Sequence, residues 1–228
     1  MRLIDHSNTT RTFLQIHLGG DRNWVYMLAD PAGKACVFDC GHEPQALADI
    51  ARDRGLSIET IAITHGHGDH TAGVAELASL TGATVVSGSP ASVAGSRVLT
   101  DGDVLEVGAL SIETLLTPGH SPDHVCYRCD DVLVTGDLLF CGKVGGTGDY
   151  FPGSSATEEW ASLHRVLALP DTVGVFPGHD YYGGEGEMPH STIGHERRHN
   201  PFLLCQDLKA FEDLKTNWGT YKKEHGIR

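Results

Sequence analysis

The chain has 228 residues, 40% hydrophobic and 21% charged, with a formal net charge of −13. That length buries one large core, or one domain with a small appendage, and the balance is ordinary for a globular protein. A surface this acidic repels a phosphate backbone and argues against a nucleic-acid partner, and no apolar run is long enough to span a bilayer.

The N-terminal MRLIDHSNTTRTFLQIHLGG lacks an apolar core followed by a small-residue cleavage site, so no signal peptide is read and a cytoplasmic protein is expected. TFLQIHL, WVYMLAD and ACVFDC then read as short strands between Gly, Asp and Pro turns. EPQALADIARDRG spaces Ala46, Leu47, Ile50 and Ala51 as a helix does and ends on a C-capping Gly55. IETIAIT is a buried-type strand, TAGVAELASLTG a helix closed by Gly82, and ATVVSG another strand. After Pro90 come four short strands, DVLEVG, LSIETLLT, HVCYRC and DVLVTGD. SSATEEWASLHRVLALP is a helix with a capping box at Ser155 and Glu158 and a stop at Pro170. TVGVFPG is a last strand, and DLKAFEDLKTNWGTYKKEHG a polar helix. Strands and helices mixed in this way, several joined by short turns, predict a layered α/β fold. With no secretion signal read, the six cysteines are expected to be reduced thiols. Cys126 and Cys129 of CYRC, three apart in a strand, face opposite sides, which argues against a zinc site with Cys36 and Cys40 and for small partly buried hydrophobes.

The densest signal is IAITHGHGDHTAG, residues 61–73. His65 and His67, two apart in extended chain, point their imidazoles the same way; Asp69 and His70 follow in the turn, placed to reach a second ion. Imidazoles and a carboxylate without thiolate suit Zn, Fe or Mn. The same grammar recurs three times: a strand stops, a Gly-containing turn opens, and His120, Asp137 or His179 is displayed. His124 reads as a supporting or structural residue. His190, His195 and His199 crowd the C-terminal part, where HERRHN fits pocket lining or a solvated helix equally.

His-x-His-x-Asp-His followed by His, Asp and His resembles the metallo-β-lactamase-fold hydrolases. TPGHSP, TGDLLFCGK and PGHDY are most similar to their glyoxalase II branch and its persulfide-dioxygenase relatives. The resemblance implies a four-layer αββα sandwich over residues 1–180, with 181–228 a short helical segment packed on it and the metal site at one edge of the sheets. It implies two divalent metal ions: His65, His67 and His120 on the first, Asp69, His70 and His179 on the second, and Asp137 bridging. It further implies attack of a metal-bridging hydroxide on a thioester such as an S-acylglutathione, with Asp69 as the catalytic carboxylate that orients it. A thiolate leaving group needs little acid assistance, since thiol pKa values are about 8.5.

For the small-molecule substrate, the resemblance points to Lys143 and Tyr181, with Lys222 and Lys223 as C-terminal cations, and Arg197 and Arg198 as a carboxylate fork. Val144 and Gly145 stand where the glyoxalase II pattern has an aromatic residue and a Glu. Three alternatives stay open: a single Fe(II) held by His65, His120 and Asp137 in a persulfide dioxygenase, a lactonase or esterase, and a non-catalytic zinc protein. A homodimer is compatible with the sequence.

Overall fold

The computed structural model describes residues 1–20, 22–180 and 188–227. β1 (Arg2–Asp5), β2 (Thr12–His17), β3 (Val25–Ala29) and β4 (Lys34–Phe38) form an antiparallel meander. After α1 (Pro44–Asp53), β5 (Ser57–Ala62) joins β4 in parallel; α2 (Gly68–Thr71), α3 (Val74–Thr81), β6 (Thr84–Ser87) and β7 (Arg97–Val98) complete a seven-stranded sheet in chain order. β8 (Val104–Val107), β9 (Leu110–Leu116), β10 (Val125–Cys129) and β11 (Val132–Gly136) start the second sheet. The hairpin β12 (Leu139–Phe140) and β13 (Lys143–Val144) and then α4 (Ala156–Leu167) lead to β14 (Gly174–Pro177), parallel to β11, and β15 (Ser191–Thr192) takes the edge. α5 (Ile193–His199), α6 (Leu208–Thr216) and α7 (Trp218–Glu224) follow.

Side chains alternate across each strand, and this makes the layers. Tyr26 and Leu28 of β3, Cys36 and Phe38 of β4, and Val125 and Tyr127 of β10 pack between the two sheets. Their neighbours Val25, Met27, Ala35 and Val37 face outward against Leu47 and Ala51 of α1 and Val74 and Leu77 of α3. Cys126 and Leu133 face the other way, against Leu163 and Val166 of α4 and the later Ile193, Phe202 and Phe211. Each large side chain buried in this way contributes about 1.5–3 kcal/mol. The architecture is the αββα sandwich implied by the motifs. Cys126 and Cys129 lie in different clusters, and all six cysteines are free, so the pair is packing.

Three details differ from the sequence reading. The two-residue strands β7, β12, β13 and β15 are too short to show alternation, and the four residues of β1 do not alternate in burial. The helix expected from Thr71 breaks, because Gly73 is pressed onto the turn after β4: a Cβ there would lie 2.9 Å from Cys40 Sγ, and its N–H donates to the Cys40 carbonyl at 2.8 Å. The polar C-terminal helix divides at Asn217, whose side chain donates back to the Asp213 carbonyl at 2.8 Å.

Candidate metal centre

The centre lies where β4, β5, β11 and β14 release their chains at the same edge. After β4, Asp39 adopts a left-handed backbone at φ 63°, an uncommon conformation for a non-glycine residue. Its carboxylate accepts from Thr64 N and Thr64 Oγ1, each at 2.8 Å, and from His70 Nδ1 at 2.8 Å. His70 therefore carries its proton on Nδ1 and turns the Nε2 lone pair inward. Thr64 Oγ1 gives its own proton to Asp39, so at 3.0 Å it accepts from His65 Nδ1. His120 Nδ1 faces the Gly146 carbonyl at 2.8 Å, which only accepts. Three imidazoles are thus locked by the fold in the tautomer that a metal ligand needs.

Donor atoms gather in three groups, each within 4.8 Å: His65, His67 and His120; His65, His70 and Asp137; and Asp69, His70 and His179. Ring nitrogens face one another, His65 Nε2 to His67 Nδ1 at 2.9 Å, His120 Nε2 to the same atom at 3.1 Å, and His70 Nε2 to His179 Nε2 at 3.2 Å. Asp137 stands between them, 3.4 Å from His70, 3.4 Å from His179 and 3.6 Å from His120. Its Oδ1 is buried and has no hydrogen-bond partner among the described residues. Inward lone pairs around an unsatisfied buried carboxylate oxygen are what a cation would satisfy, and the residues present fit one. All seven side chains named from the sequence come together here.

Residues 18–179 match the Metallo-beta-lactamase superfamily. The chain belongs to that superfamily. The matched segment runs from just before β3 to His179, so it holds the whole cluster. The hydroxyacylglutathione hydrolase of Methylobacterium sp. (strain 4-46) is 35% identical over 163 residues, 68% of this chain and 61% of that protein. ETHE1 from Myxococcus xanthus overlays with a TM-score of 0.82 at 30% identity, covering 90% of each chain. TTHA1623, solved in a di-iron-bound form, overlays with a TM-score of 0.70 at 30% identity, covering 83% of this chain and 99% of its own. These relatives agree with the glyoxalase II and persulfide-dioxygenase-like branch. The chain spans about half the length of the curated β-lactamase hydrolase-like proteins of Agrobacterium fabrum and Xylella fastidiosa that it matches at 30–33% identity.

The electrostatics of this superfamily member's centre follow from burial and from the shared carboxylates. Burial drives the pKa of His65 well down and that of His120 down, so both are neutral. His124 is pushed to about 3, chiefly by burial. It lies behind the cluster: its Nε2 accepts the Asp137 N–H at 3.1 Å and its Nδ1 meets Thr117 Oγ1 at 2.9 Å, which orients Asp137. For His70, burial pulls downward but Asp137 and Asp39 outweigh it and raise the pKa. For Asp137, burial pulls upward, and His179 and His70 nonetheless hold it well below the carboxylate range. The bond to His179 does most to keep the half-exposed Asp69 ionised.

Several contributors carry no motif. Asn23 Nδ2 donates to Asp69 O and Oδ2, both at 3.1 Å, and Asn23 bridges to the His179 backbone. Gly41 passes beneath α2 so closely that a Cβ would sit 1.6 Å from the Asp69 carbonyl oxygen. Phe151, from the loop before α4, places its ring 4.9 Å from that of His120 and 6.0 Å from that of His67. Nothing in the sequence signals Phe151, because its partners lie 31 and 84 positions away.

The expected substrate residues fare differently. Lys143 stands on β13 with Nζ 5.7 Å from the Phe140 ring centroid; burial lowers its pKa, Asp137 opposes that, and Lys215 and Lys222 add to the lowering. Tyr181 lies outside the described residues. Arg197 corrects the sequence reading: its guanidinium is engaged by Asp171 and by the carbonyls of Leu167 and Leu169, and Arg198 meets the same Asp171 at 2.8 Å. Asp171 precedes β14 whereas His179 follows it, so this fork closes the end of α4 at the opposite edge. Arg197 was misplaced because a charged helix end and a carboxylate clamp look alike in one dimension.

Proposed function

We propose that the protein is a dinuclear metal-dependent hydrolase of a thioester such as an S-acylglutathione. One observation carries the reading: Asp137 lies within 3.4–3.6 Å of His70, His120 and His179, members of both ligand groups, so one carboxylate is positioned to be shared by two ions. His65, His67 and His120 would hold one ion and Asp69, His70 and His179 the other. When bound, such ions supply Lewis acidity, polarising a carbonyl oxygen and lowering the pKa of coordinated water toward about 7. Asp69, half-exposed and fixed by Asn23 and His179, presents an ionised carboxylate that orients the attacking water and accepts its proton. Phe151 covers His120 and His67 with an apolar face, which limits bulk water above them. A thiolate departs without an acid of its own, consistent with a cluster whose imidazoles are turned inward as ligands.

The resemblance to proteins named hydroxyacylglutathione hydrolase supports this substrate class. The overlay on ETHE1 across 90% of both chains keeps a second reading in play, the mononuclear iron persulfide dioxygenase. Metal analysis of the purified protein beside two assays separates them. Two zinc-like ions with hydrolysis of S-lactoylglutathione support the first reading. One iron with oxygen uptake on glutathione persulfide overturns it in favour of the second.

A further inference from the structure

Glu159 of α4 is wholly buried, and one of its oxygens, Oε1, has no hydrogen-bond partner among the described residues. Its other oxygen holds Lys215 Nζ of α6, which also donates to the Gly145 carbonyl at 2.7 Å. Gly145 is pinned from both sides, because its N–H donates to the Leu138 carbonyl at 3.2 Å. It is wedged into the centre's wall: a Cβ there would lie 2.0 Å from Asp137 O, 2.9 Å from Glu159 Oε1 and 3.0 Å from His120 Cβ. The next residue, Gly146, supplies the carbonyl that fixes the His120 tautomer. A chain of direct contacts therefore runs from α4 and α6 to one proposed metal ligand.

We propose that Lys215, anchored by Glu159, is a positioning residue of the metal centre: by holding the Gly145 carbonyl it sets the turn whose Gly146 carbonyl keeps His120 Nε2 facing the cluster. A buried ion pair gains little stability over apolar side chains of similar volume, so fold stability alone does not account for this one. Burial raises the Glu159 pKa to about 7 and lowers that of Lys215, with their mutual attraction offsetting part of each shift. The pair is thus held against its own desolvation, and what it yields is a fixed ammonium against one carbonyl. Glu196 and Asn200 bind the same hairpin further back, at Gly142 N and Lys143 O, so the hairpin itself does not depend on Lys215.

The inference rests on the reading of His120 as a metal ligand, and its test keeps the two apart. Metal-free wild type, Lys215→Met, Lys215→Arg and the double variant Glu159→Gln/Lys215→Met are prepared. The double variant replaces the buried pair without leaving a lone charge, and so guards against a folding failure. Zn²⁺ affinity is measured by chelator competition, and the His120 ring nitrogens by ¹⁵N NMR without metal. Lys215→Met and the double variant are expected to lose zinc affinity on the order of tenfold at the His120 site, with Lys215→Arg restoring most of it. Both variants should also show His120 losing its single Nδ1–H signature. Folded variants with wild-type zinc affinity and an unchanged His120 spectrum would overturn the proposal. A wild type that binds no divalent ion sinks the metal reading instead, and the NMR comparison then decides on Lys215 alone.

Discussion

The two ends of β14 carry similar residue types and resolve them in opposite ways. Just before its start, Asp171 meets Arg197 and Arg198, and the two guanidiniums share one carboxylate on the exposed surface. At its end, His179 joins a buried group in which nitrogens face nitrogens and Asp137 keeps an oxygen without a hydrogen-bond partner among the described residues. The protein completes its own hydrogen bonding at one edge and leaves it incomplete at the other. Incomplete satisfaction in a buried site is costly, so it marks where something outside the chain belongs.

The contrast is broken most severely at Asp137. Asp137→Asn keeps the shape and removes the charge that both groups share; it is expected to abolish thioester turnover and to release bound metal, measured by steady-state assay and elemental analysis. A variant that keeps both would show that the incomplete edge is only structural.

A second test concerns Glu159, whose pKa in the fold, about 7, exceeds the ordinary 4.5. Between those values the folded state holds a proton that the unfolded state has lost, so stability falls as pH rises from about 4.5 to 7 and levels off above. Glu159→Gln should remove about 3 kcal/mol of that decline, read from urea melts of both proteins across the window. Parallel curves would mean that Glu159 ionises freely in the fold.

Asp39→Asn tests the outward bonds. Asparagine can present its amide to His70 Nδ1 and unlock the tautomer, and a loss of about 10–100-fold in metal affinity is expected by chelator competition. At the satisfied edge the effect should be smallest: Arg197→Ala is expected to cost about 1 kcal/mol or less and to leave kcat/KM unchanged. A large fall in kcat/KM would return Arg197 to the substrate.

How much of this was legible in one dimension depends on separation and on type. Short apolar runs bounded by turn residues, such as β3 and β10, and the capped helix α4 could be read directly, because composition, turns and caps are local. The seven His and Asp side chains were legible because they follow strand ends at glycine-containing turns, four of them within one short stretch, a pattern that survives without coordinates. Asp39, Asn23 and Phe151 were not, since they act through contacts with residues distant in sequence and belong to no periodic pattern. The tie between Lys215 and Gly145 spans 70 positions and uses a backbone carbonyl, which no side-chain motif encodes.

Gly41 and Asp69 pack backbone to backbone, so even one methyl group at position 41 would force the Gly41 turn and the Asp69 backbone apart. A side chain at position 41 would therefore act on the metal centre without touching a ligand atom, through the backbone that carries Asp69.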